Sequence, residues 1–225
     1  MKLLIYGNKT EEIKRLAEKA GFEIVDKKPD MVASVGGDGT LMKSEKDFPE
    51  IPKFILKKSK TSKKGHDILP EVILNKIAKK EYKIEEEIKI EAVSGDKKIV
   101  GLNEIIVHNI DPRRAIRYEI FINGKKTCNE IIGDGVVIST PYGSTGYYRS
   151  ITNSVFEVGL GVAFNNSIEK LDHMIVKDNS EIIIKMTRGK AIVYADNNDE
   201  EIILDNDHEI LIRKYKNKAK IVKFM

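Results

Sequence analysis

The sequence predicts two domains in series, an α/β domain over residues 1–84 and an antiparallel β domain over residues 85–225. Three observations predict it. Strand and helix patterns alternate up to Lys80, β-branched strands take over near residues 81 to 87, and glycine-rich loops follow two strongly apolar strands. Leu3–Tyr6 reads as a buried strand and Gly7-Asn8 as a turn. Thr10 caps a helix over Glu11–Ala20, where Ile13, Leu16, Ala17 and Ala20 recur at helical spacing, and Gly21 closes it. Strands are expected at Glu23–Val25, Met31–Val35 and Lys53–Leu56, and helices at Leu41–Lys46 and Leu69–Lys80. Beyond the switch the strands are Lys89–Val93, Ile99–His108, Ile116–Ile122, Val136–Ser139, Glu181–Met186, Ala191–Tyr194, Glu200–Leu204, Glu209–Tyr215 and Ala219–Phe224. Turn signals such as Ser94-Gly95-Asp96, Asn123-Gly124 and Arg188-Gly189 separate them, and the last strand is free to return to the first domain.

Composition excludes several classes of function. A chain of 225 residues buries a sizeable core without staples. The single cysteine, Cys128, rules out an intramolecular disulfide framework and fits a reducing compartment. His66, His108, His173 and His208 are scattered, with no i, i+4 pair and no neighbouring cysteine, so no metal site made of protein side chains alone is expected. The opening apolar run is too short for a signal peptide, and no stretch reaches the roughly 18 apolar residues of a membrane span. A cytoplasmic protein with no membrane partner is the expectation. Net charge is +4 with 33% charged residues, a mixed surface that favours one polyanionic small ligand over a nucleic-acid track. The lack of glutamine and tryptophan beside abundant Lys, Glu and Ile suits a protein from a hot environment.

Three polar clusters carry chemistry. The first, Gly36-Gly37-Asp38-Gly39-Thr40, ends a buried strand and opens a helix. Glycines there let backbone approach a phosphate, and the helix dipole favours an anion. Asp38 inside such a loop makes sense if it accepts a hydroxyl proton or helps hold a metal ion between phosphates. The second is Asn103-Glu104 within an apolar strand, where neighbours point to opposite faces, so at least one meets a ligand or a buried partner. The third runs from Gly133-Asp134-Gly135 through Ser139-Thr140-Pro141 to Gly143-Ser144-Thr145-Gly146-Tyr147. It gathers backbone N–H groups, hydroxyls and an aromatic face, as a nucleotide requires.

In this order and spacing the three clusters resemble those of the NAD kinase family, as a small, divergent, archaeal or thermophilic member. GGDGT alone is also shared with lipid kinases, whereas the long third segment is the specific one. The resemblance implies a Rossmann-like first domain, a β-sandwich second domain, and NAD in the cleft between them. It implies Asp38 as the catalytic base, with Gly39 beside the substrate and Gly36, Gly37 and Thr40 forming the phosphate loop. Asn103 and Glu104 would bind the adenine-side ribose and base, Asp134 would lie near the nicotinamide half, and Thr145, Gly146 and Tyr147 would surround the adenine. The reaction implied is phosphoryl transfer from ATP or polyphosphate, with Mg²⁺, to the adenosine 2′-hydroxyl of NAD. A homo-oligomer, dimer or tetramer, is implied as well.

The sequence departs from the family in places. A lysine-rich stretch, including Lys57, Lys58, Lys60, Lys63 and Lys64, stands where a glycine-rich segment is usual. It reads either as a solvated connection or as point charges for donor phosphates. Gly161–Asn166 and Asp172-His173-Met174 replace a Thr-Pro-Ile-x-Pro stretch, Gly146 replaces an alanine, and Asp196-Asn197 stands where Asp-Gly is common. Two other readings remain: another GGDGT-type kinase of a small alcohol or lipid, and a non-catalytic NAD(P)-binding sensor.

Overall fold

The computed structural model describes residues 1–57, 64–65, 68–169 and 171–224. It divides into two compact units, Met1–Glu87 with Lys218–Met225, and Ile88–Asn217.

The first unit opens with β1 (Lys2–Gly7), α1 (Glu11–Lys19), β2 (Glu23–Ile24) and β3 (Met31–Gly36). It continues with α2 (Asp38–Asp47), β4 (Lys53–Lys57), α3 (Pro70–Ala78) and β5 (Tyr82–Glu87). The second unit begins with β6 (Ile90–Ser94), β7 (Lys97–Gly101), β8 (Glu104–Asn109), β9 (Ile116–Ile122), β10 (Lys125–Lys126), β11 (Ile131–Gly133) and β12 (Gly135–Ser139). After α4 (Tyr147–Thr152) come β13 (Leu160–Asn165), β14 (Met174–Val176), β15 (Ile182–Arg188), β16 (Ala191–Ala195), β17 (Glu201–Leu204) and β18 (Glu209–Lys214). The chain then returns to the first unit with β19 (Ala219–Phe224).

The first unit is a six-stranded sheet in the order β2-β1-β3-β4-β19-β5. Its strands are parallel except β5, which runs against β19. Ile13 and Ala17 of α1 and Ile73, Leu74 and Ile77 of α3 join Ala33, Val35, Phe54 and Leu56 of the sheet in one apolar core. Pro70 occupies the first turn of α3, where its missing N–H costs nothing. Thr10 precedes α1, but its hydroxyl makes no capping bond, which corrects the expected cap.

Helix α2 is held differently. Its buried residues are Leu41, Ser44 and Glu45. Ser44 Oγ lies 2.7 Å from Ser34 Oγ on β3 and donates to the Leu41 carbonyl at 2.7 Å. The Glu45 carboxylate pairs with the ammonium of Lys53, which is 0% exposed and also donates to the carbonyls of Phe48 (3.0 Å) and Ile51 (2.7 Å). The helix starts at Asp38, three residues before the expected Leu41, because Gly37 is extended and its carbonyl accepts from Thr40 and Leu41 N–H.

The second unit has two antiparallel sheets, β10-β9-β15-β18-β6-β7 with β11 on β9, and β14-β13-β12-β8-β16-β17. Their inward residues form one core that includes Ile105 and Val107 of β8, Val136 and Ile138 of β12, and Ile182 and Ile184 of β15. That leaves the alternate residues of β8, from Glu104 through Ile106 to His108, on the opposite face. The single strand expected over Ile99–His108 is two, β7 and β8, with a turn at Leu102-Asn103.

Candidate functional site

In the first unit, the Gly36–Thr40 loop leaves the end of β3 and enters α2. A Cβ on Gly36 would fall 2.2 Å from Thr40 Oγ1, so the loop closes this tightly only with glycine. At Gly7 φ is +133°, and a Cβ there would meet the Val35 carbonyl at 2.4 Å, so the end of β1 has the same requirement. The two strand ends and the helix start border a cleft of about 710 Å³, lined by Gly7, Asn8, Gly36, Gly39, Thr40 and Lys43 among others. Asp38 Oδ1 accepts the Lys64 N–H at 3.1 Å, and Lys57 ends β4. Lys58, Lys60, Lys63 and His66 lie outside the described residues.

In the second unit the site is built around a turn that a distant residue ties. Asp196 sits at φ +51°, and its carboxylate accepts the N–H groups of Leu102 (2.8 Å), Asn103 (2.8 Å) and Glu104 (3.2 Å). Three charge-assisted bonds on consecutive amides fold the backbone out of strand geometry, which is why β7 stops at Gly101. Asn103 and Glu104 are therefore not neighbours on one strand, and the expected split between opposite faces is corrected: Asn103 lies in the turn and Glu104 begins β8. Both side chains flank Gly146, where a Cβ would lie 3.4 Å from Glu104 Oε2 and 3.8 Å from Asn103 Nδ2.

Hydroxyls of the third cluster bond to backbone groups instead of facing outward, and Thr140 locks this turn. Thr140 Oγ1 donates to the Leu102 carbonyl at 2.7 Å and accepts the Gly143 N–H at 3.0 Å, while Ser144 Oγ donates to the Phe156 carbonyl at 3.1 Å. Ser139 Oγ donates to the Thr140 carbonyl at 3.0 Å, and Ser139, Thr140 and Ser144 are all buried. Thr145 remains half-buried. A Cβ on Gly143 would come within 2.1 Å of the Asn103 carbonyl. Gly143→Ala is therefore expected to lose about 1–3 kcal/mol of stability by overpacking and to shift Asn103, read as a lower midpoint in thermal unfolding. An unchanged midpoint would mean that the turn yields freely.

Polar groups cluster beyond the turn. Asn103 and Glu104 are 5% and 7% exposed, and Asn103 Oδ1 has no hydrogen-bond partner among the described residues. Such an acceptor is costly unless a ligand fills it. Burial raises the pKa of the Tyr147 hydroxyl, and the charges of Asp134 and Glu104 raise it further against the Asn165 hydrogen bond. Tyr194 is also raised, by burial first and then by Tyr147 and Glu104. Both phenols therefore stay protonated donors through the neutral range. Asp134 accepts from Asn109 Nδ2 (3.3 Å) and Asn166 Nδ2 (2.9 Å).

Comparison with known proteins places this geometry. The family model for the ATP-NAD kinase C-terminal domain matches residues 102–224. NAD kinases of Saccharolobus islandicus and Sulfurisphaera tokodaii are 31% and 34% identical to this chain. The alignments cover 97% and 94% of it, and 89% and 88% of those proteins. The chain belongs to the NAD kinase family. The fold agrees: an NAD kinase from Archaeoglobus fulgidus in complex with ATP superposes with a TM-score of 0.82 at 22% identity, over 100% of this chain and 94% of that one. Yeast NADH kinase complexed with NADH gives 0.82 at 17% identity, over 100% and 84%.

Of the residues expected for an NAD kinase, Asn103, Glu104, Gly146, Tyr147 and Asp134 lie in one neighbourhood of the second unit, and Gly36–Thr40 form one loop of the first. Sequence reading missed three others. Asp196 carried a signal, the Asp-Asn turn, but not its target 92 to 94 residues away. His108 and Asn165, within 3.2 Å of each other, carried none.

Proposed function

We propose that this chain transfers a phosphoryl group to the adenosine 2′-hydroxyl of NAD, with Asp38 taking the hydroxyl proton. The reaction class is that of its family, phosphotransferases acting on NAD. The observation that carries the ribose-and-base assignment is the buried Oδ1 of Asn103, which has no hydrogen-bond partner among the described residues, on a side chain that with the Glu104 carboxylate flanks a residue with no side chain, Gly146. An acceptor, a carboxylate and an open wall suit the amino and hydroxyl donors of an adenosine. In this reading Thr145, Gly146 and Tyr147 surround the adenine, and Asp134 lies toward the nicotinamide half.

ATP, the molecule in the Archaeoglobus fulgidus enzyme, is the donor we favour, with polyphosphate the other candidate. Its phosphates would take the cleft at the start of α2, where the helix dipole and Lys43 favour an anion. The donor chemistry fits a magnesium ion held mostly by phosphates: Asp38 opens α2 and offers one carboxylate beside the place the phosphates would take. A magnesium ion there would offset charge on the phosphate oxygens. Asp38 would orient the 2′-hydroxyl and accept its proton as that oxygen attacks in line. A cytoplasmic homo-oligomer belongs to the same reading.

The test is NADP formation from NAD and Mg²⁺ with ATP or polyphosphate in turn. NADP with ATP is the expected result. NAD binding without NADP formation from either donor would overturn the catalytic reading in favour of a sensor.

A further inference from the structure

Four groups on the outer face of the second sheet form a hydrogen-bonded chain that ends at Tyr147. His108 on β8 and Asn165 on β13 both pair with Gly135 of the intervening β12, so they meet across a rung that carries no side chain. His108 Nδ1 lies 3.1 Å from the Asn109 carbonyl, and its Nε2 lies 3.2 Å from Asn165 Nδ2. The same Nδ2 donates to the Tyr147 hydroxyl oxygen at 3.1 Å.

For a neutral His108 ring the donor and acceptor rules leave one consistent assignment. A carbonyl only accepts, so Nδ1 of His108 carries the proton and Nε2 of the neutral ring accepts. Asn165 Nδ2 then spends one hydrogen on His108 and the other on Tyr147. Because the Tyr147 oxygen receives that hydrogen, its own O–H proton is not needed by Asn165 and points elsewhere. With the opposite tautomer the amide would turn over, Oδ1 would face the phenol, and the Tyr147 proton would be consumed inward.

We propose that His108 and Asn165 are positioning residues that set the Tyr147 hydroxyl as a donor toward NAD. The inference rests on the reading of Tyr147 as an NAD contact. His108 fixes the sense of the Asn165 amide, and the amide fixes the sense of the phenol.

The experiment uses the full chain and has two arms. Nitrogen-15 NMR of the histidine rings reads the His108 tautomer directly, and the Nδ1–H form is expected. Titration calorimetry then reads NAD affinity in Tyr147→Phe, in Asn165→Asp, which offers only acceptors to the phenol, and in the double variant. Each single change is expected to weaken NAD about tenfold, the worth of one hydrogen bond. The double variant is expected to be no weaker than Tyr147→Phe alone, because both changes remove the same donor. Thermal unfolding midpoints should stay near the parent's in each variant, which separates a lost donor from a general loss of structure. An Nε2–H tautomer overturns the proposal. So does a neutral or fully additive Asn165→Asp when Tyr147→Phe weakens binding. An Nδ1–H tautomer with no effect of Tyr147→Phe would instead sink the NAD reading of Tyr147, and the proposal with it.

Discussion

Asp38→Asn is expected to bind NAD as the unaltered protein does and to lose on the order of 10²-fold or more in kcat. The substitution is nearly isosteric, and an asparagine Oδ1 can still accept the Lys64 N–H that Asp38 accepts at 3.1 Å. The loop and the start of α2 should therefore keep their geometry. What the amide cannot do is take a proton from the attacking hydroxyl. Steady-state NADP formation gives kcat, and calorimetry on the same preparation gives the NAD dissociation constant. Full activity in this variant would remove Asp38 from the role of base. Loss of NAD binding along with activity would show that the carboxylate holds the substrate instead of the proton.

Lys53→Met is expected to destabilise the first unit by about 3–5 kcal/mol, the usual cost of leaving one member of a buried ion pair without its partner. The side chain is 0% exposed and Glu45 is 4% exposed, so water cannot easily replace the lost ammonium. The carbonyls of Phe48 and Ile51 lose their donor at the same time. Since α2 carries Asp38 at its first turn, turnover should fall with stability. Replacing both members, Glu45→Leu with Lys53→Met, should recover most of the loss, because a matched apolar pair has no charge to desolvate. Urea denaturation measures both variants. A single variant within about 1 kcal/mol of the parent would mean that the pair is solvated and does not anchor the helix.

Legibility differed sharply between the two units. In the first, Leu3–Tyr6, Met31–Val35 and Lys53–Leu56 were readable as strands because each buried strand of a parallel sheet is a short run that is mostly apolar, interrupted here only by Ser34 and Lys53. The phosphate loop was readable because glycine, aspartate and helix start are neighbours in the chain. What failed was the start of α2. Its buried positions Ser44 and Glu45 are polar, so apolar periodicity could not mark the helix, and their partners Ser34 and Lys53 lie on strands.

In the second unit, Ile116–Ile122 was read with its observed limits, since alternation is the local mark of a half-buried strand. β13 went unread as a strand. Its Gly161 is required because a Cβ there would lie 2.5 Å from both the Tyr148 and Phe156 rings, a contact that no local pattern announces.

By itself the sequence determined the two classes of fold, the family, and the identity of the GGDGT, Asn-Glu and third-cluster residues, because these depend on short spacings and local backbone chemistry. Only the tertiary structure decided that Asp196 bends the Leu102-Asn103 turn ahead of β8 and that the hydroxyls of Ser139, Thr140 and Ser144 turn inward. It likewise decided that His108 meets Asn165 across Gly135. The reason is physical: which donor a buried acceptor receives is set by what packing brings within about 3 Å, and sheet register brings together residues that lie dozens of positions apart.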